Sequence, residues 1–112
     1  MARLIVHTEA EDAIAAPKNT LSNWVVVSVT NVDGVPVTGL TAANFKVASI
    51  VVGPGGGGVV VASSSVAGLP GCYLVGITPM SGQTWMAGVY IFAVAVDKGS
   101  DRGQALARVR MD

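Results

Sequence analysis

The chain has 112 residues, with seven basic side chains, seven acidic ones and a formal net charge of zero. At this length one domain, residues 1–112, buries roughly two-thirds of its unfolded surface, and 51% hydrophobic against 12% charged residues excludes a disordered chain. Charge balance also removes the surplus of Lys and Arg that phosphate contacts require, so no nucleic-acid partner is expected.

Residues 1–9 hold one basic residue and no apolar stretch of the kind a secretory leader carries, so the location expected by default is cytoplasmic. Residues 3–8 favour a short first strand, and the acidic, Ala-rich segment 9–17 fits a helical turn or an ordered loop. Residues 23–30 make the clearest strand: Val25, Val27 and Val29 share one face under a period of two, opposite Trp24, Val26 and Ser28. Asn31-Val32-Asp33-Gly34 supplies turn chemistry, and Pro36 marks the place where an edge strand resumes. Thr41 is placed to cap a short turn that sends Leu40 and Phe45 into one interior.

A strand is expected over residues 45–52. The run Gly53-Pro54-Gly55-Gly56-Gly57-Gly58 interrupts it, and residues 59–62 pair back, giving a hairpin with a loose tip. Residues 72–78 alternate Tyr73, Val75 and Ile77 against Leu74, Gly76 and Thr78. Residues 85–96 form a long strand with Tyr90, Phe92, Val94 and Val96 on one side and the small Ala93 and Ala95 on the other. This apolar run is well short of the roughly 20 residues that span a bilayer as a helix, so no membrane span is expected. Residues 97–103 turn the chain, and residues 104–111 set Ala107, Val109 and Met111 against Arg108 and Arg110, a strand with one wet face. Seven to eight strands with turn signals between them and no ordinary helix point to an all-β fold, an antiparallel β-sandwich.

Two stretches carry a resemblance. Residues 29–47, in which Val29-Thr30-Asn31-Val32-Asp33-Gly34 is followed by Val35-Pro36-Val37, resemble bacterial immunoglobulin-like domains, where a strand ends at an Asx-Gly turn and resumes at Pro-Val. Gly71-Cys72-Tyr73 and Gly88-Val89-Tyr90 are similar to the paired Gly-any-Tyr strand openings of filamin-like and bacterial immunoglobulin-like repeats. The resemblance implies an immunoglobulin-like sandwich, a corner tyrosine at Tyr90 and a role in adhesion, spacing or assembly, with no inherited active site. Phe92 stands where antibody domains carry a disulfide cysteine, and Cys72 has no mate, so that disulfide is excluded.

Groups able to carry chemistry are few. His7 is the single histidine, and without a nucleophile and an orienting carboxylate beside it, it reads as a solvated side chain. Cys72 reads as a small strand hydrophobe. Glu9, Glu11, Asp97 and Asp101 match no calcium-loop spacing and read as solubilising charges. The glycine run lacks the Lys-Ser/Thr and the helix of a phosphate loop. No catalytic residue, cofactor or metal is therefore expected. What stands out is a low charge content together with valine runs that are apolar on both faces, because each sheet of a sandwich buries only one side. The expected function is a non-enzymatic structural or protein-interaction module that self-associates or docks onto a larger assembly. Trp24, Val26, Gly55, Gly56, Val60 and Trp85 are its candidate contact residues. The alternative is a carbohydrate-binding sandwich that stacks a sugar on Trp24 or Trp85.

Overall fold

The structure, a computed structural model, describes residues 3–10, 23–51, 59–66, 68–79 and 88–111. Its strands are β1 (Ile5–Ala10), β2 (Asn23–Thr30), β3 (Phe45–Val51), β4 (Val59–Val66), β5 (Cys72–Pro79), β6 (Gly88–Lys98) and β7 (Asp101–Met111). They form a four-stranded sheet in the order β1-β2-β5-β4 and a three-stranded sheet in the order β3-β6-β7. Every ladder is antiparallel. Among the described residues the one helical element is a single 3₁₀ turn, Ala42–Asn44.

The period of two decides which side of each strand is buried. Val25, Val27 and Val29 of β2, Val75 and Ile77 of β5, and Phe92, Val94 and Val96 of β6 are fully buried, and they join Val109 of β7 in one cluster between the sheets. Phe45 of β3 meets Tyr73 of β5 with ring centroids 5.3 Å apart, an aromatic contact that links the two layers. The Tyr73 hydroxyl donates to the Val37 carbonyl at 2.7 Å and accepts from the Leu40 N–H at 3.3 Å, so a buried phenol fastens the segment that crosses from β2 to β3. Leu40 and Phe45 both enter the core, as the short turn between them requires. There the Asn44 side chain accepts the Thr41 N–H at 2.8 Å and donates to the Asp97 carbonyl at 2.8 Å.

The Asx turn forms as its residues dictate. Asn31 Oδ1 accepts from the N–H groups of Asp33 and Val35, at 2.9 and 3.0 Å. The edge strand expected at Pro36 is reduced to an isolated bridge to Thr30, since proline has no N–H with which to extend a ladder.

Larger corrections concern pairing. Residues 45–52 and 59–62 do not form a hairpin: β3 pairs with β6, and β4 pairs with β5 in the other sheet. β4 also runs on through Ser63, Ser64 and Ser65, because backbone pairing to β5 does not depend on apolar side chains at an edge. The turn expected over 97–103 is tighter, with Lys98 opposite Asp101 and Gly99 at φ +63°. β6 accordingly runs on to Lys98, and β7 starts earlier than expected, at Asp101. The first strand is shifted two residues toward the C-terminus, to Ile5–Ala10.

β1 belongs to the four-stranded sheet yet also touches β7. The Leu4 N–H donates to the Arg102 carbonyl at 2.8 Å, Arg3 and Arg102 form a parallel bridge, and Thr8 Oγ1 donates to the Leu106 carbonyl. The N-terminal strand thus closes one side of the molecule.

Candidate interaction surface

The outer face of the four-stranded sheet collects side chains that the core does not use. On β2, Trp24 is 48% exposed and Val26 is 37% exposed. Ile5 of β1 is 44% exposed. Register places Glu9 directly opposite Val26 on one side and Leu74 opposite it on the other. Trp24 faces Gly76, which is buried although its position belongs to the outer face. A glycine there has no side chain of its own, and an aromatic neighbour across the strand is the usual cover for such a site.

Of the six candidate contact residues, the structure brings Trp24 and Val26 together, two positions apart on one strand face. The backbone of Val60 lies in β4 opposite Thr78, at the far edge of the same sheet. Gly55, Gly56 and Trp85 lie outside the described residues. Sequence reasoning missed Ile5 and Leu74. The signal for Ile5 was available, as an apolar residue out of phase with Val6 in the first strand.

A second outer face belongs to the three-stranded sheet. Leu106 of β7 is 59% exposed beside Ala93 of β6, and Arg108 is exposed opposite Ile91. The two sheets differ sharply in charge. β3, β6 and β7 carry Lys46, Lys98, Arg102, Arg108 and Arg110 against Asp97 and Asp101, whereas the four strands of the other sheet contain Glu9 and no Lys or Arg. Asp97 lies 3.4 Å from Arg102 and 3.9 Å from Lys46, so part of the basic excess is balanced at one end of the face.

His7 and Glu9 are 3.7 Å apart on the open surface, both largely exposed. Cys72 is half-buried, with its Sγ 3.4 Å from Ser28 Oγ. Beside the β1–β7 junction lies an open cleft of about 560 Å³ whose polar lining is Arg3, Asp97, Arg102 and Gln104. His7 is not among its lining residues, so the imidazole and the cleft do not combine. Among the described residues no three His, Cys, Asp or Glu side chains are grouped to hold a metal ion, and no helix is long and apolar enough to cross a membrane. What this arrangement offers is shape, apolar area and charge.

No family model, curated protein or solved structure matches this chain.

Proposed function

We propose that the chain is a non-enzymatic structural or protein-interaction module on an immunoglobulin-like β-sandwich, which self-associates or docks onto a larger assembly. The immunoglobulin-like reading is supported by strand order. β1-β2-β5-β4 over β3-β6-β7 is the arrangement of constant-type immunoglobulin domains, with their seven strands taken in sequence. The functional reading is carried by one observation: Ile5, Trp24 and Val26 are exposed on a single sheet face that has no basic residue on its strands. Aromatic and aliphatic side chains gathered on a sheet face bind by area, and Trp is enriched where partners dock.

Sedimentation velocity on the purified chain tests the reading. Species larger than the monomer are expected to grow with concentration, and a monomer at every concentration counts against self-association. The exposed indole of Trp24 favours a second reading, stacking on a carbohydrate ring. Tryptophan fluorescence titrated with a glycan panel decides it: no change for any glycan removes the carbohydrate reading.

A further inference from the structure

Where the chain enters β1 beside β7, charges of one sign are brought together. Arg3 forms a parallel bridge with Arg102, Arg102 is paired with Asp97 of β6, and Lys46 of β3 reaches Asp97 at 3.9 Å. Residues bridged across neighbouring strands point to the same side, so two guanidiniums that never lose their charge stand next to each other, a placement that destabilises a sheet. Asp97 answers one of them: its carboxylate lies 3.4 Å from Arg102 and is shared with Lys46. Among the described residues Arg3 has no acidic partner. Asp101, the other carboxylate of this strand end, is out of phase with Arg102 along β7 and is paired with Lys98 across the turn. The excess positive charge borders the cleft of about 560 Å³ at this junction, a volume within the about 300–1,000 Å³ of small-molecule sites. Gln104 adds an amide to the lining beside the two arginines, and Val6 and Ala95 supply apolar wall.

We infer that this cleft binds an organic carboxylate, its anionic head between Arg3 and Arg102 and its apolar body along Val6 and Ala95. A guanidinium presents paired N–H donors that match the two oxygens of a carboxylate, and an amide such as that of Gln104 adds a further donor. Asp97 decides for a carboxylate over a phosphate. A phosphate monoester carries about 1.5 to 2 negative charges at neutral pH, and it would have to sit near a carboxylate that already lines the cleft. One negative charge is enough to offset Arg3, and the apolar wall asks for a body with little polarity. Self-association plays no part in this site, so either reading can fail without the other.

Backbone amide chemical shifts of the full chain, titrated with hexanoate, test this. Leu4, Val6, Ala95 and Gln104 are expected to shift and saturate together while Val26, on the other sheet, stays still. Hexanol, the tail without the charge, and inorganic phosphate, the charge without the tail, are each expected to bind about tenfold more weakly or worse. Arg3→Gln and Arg102→Gln are each expected to weaken hexanoate about tenfold, and Arg108→Gln, outside the cleft, to leave it unchanged. Without ligand, Arg3→Gln removes one of two adjacent like charges and is expected not to lower the melting temperature. A short peptide ending in a leucine carboxylate, set against its amide, tells the two sources of the group apart: tighter binding of the peptide acid than of hexanoate assigns the cleft to a chain terminus, and the reverse to a free acid. No saturable shift at the cleft with either acid overturns the assignment, as does phosphate binding as tightly as hexanoate, or hexanoate binding indifferent to both arginine substitutions. A lowered melting temperature for Arg3→Gln would make Arg3 a strut of the β1–β7 seam and overturn its role as an unanswered charge.

Discussion

Gly71 has two reasons to be glycine and Gly34 has one. Both adopt positive φ, +76° and +81°, where a side chain is strained. At Gly71 an added Cβ would also lie 2.8 Å from the Val29 carbonyl oxygen and 2.9 Å from Pro36 Cβ, whereas at Gly34 it would meet open space. The approach is close because the Gly71 carbonyl accepts the Val29 N–H at 2.8 Å. Gly34→Ala is expected to cost about 1 kcal/mol, the strain alone, and Gly71→Ala about 2–4 kcal/mol once overpacking is added. Urea denaturation of the two variants measures the difference, and equal costs would show that the Val29 contact relaxes freely. This glycine was legible as the opening of a Gly-Cys-Tyr strand. That Tyr73 fastens residues 37–40 through its hydroxyl was not legible, because its two partners lie more than thirty positions away.

At the scale of elements, β1 is held from two sides. It pairs with β2 along its length and leans on β7 through Leu4 and Thr8. Gly103 makes this possible: a Cβ there would run into the Leu4 carbonyl. Gly103→Ala is therefore expected to lift the first residues off β7 while the core holds. Amide exchange reads this directly, with Leu4 exchanging about tenfold faster or more and Val94 unchanged. An unaltered rate at Leu4 would mean that the approach at Gly103 has slack. The strand itself was expected from residues 3–8, but its second neighbour was not. Alternation tells which side of a strand is wet and leaves open which strand lies alongside. The same gap explains β3 and β4, read as a hairpin from their nearness in sequence and placed in different sheets. A glycine-rich connection permits a hairpin and a crossing between layers equally well, and the longer ladders to β6 and β5 decide between them.

For the whole molecule, residues that hold it together separate from residues that face outward. Phe92 is fully buried, and Phe92→Ala is expected to cost about 3–5 kcal/mol. Trp24 is nearly half exposed, and Trp24→Ser is expected to cost about 1 kcal/mol, for the part of the ring that shelters its neighbours. Denaturation midpoints of the two variants separate these roles. A loss for Trp24→Ser as large as that for Phe92→Ala would make the indole a folding residue and withdraw it from the interaction surface.

Composition and alternation alone determined that the chain is all-β, which valines and aromatics fill its core, and that β7 has one wet face, because a period of two is a local property of consecutive residues. The partner of each strand, the bracing of β1 against β7 and the gathering of five basic residues on one sheet were decided only by the tertiary structure. Each depends on which distant strands share a layer, and a net charge of zero is blind to how its members are divided between two faces.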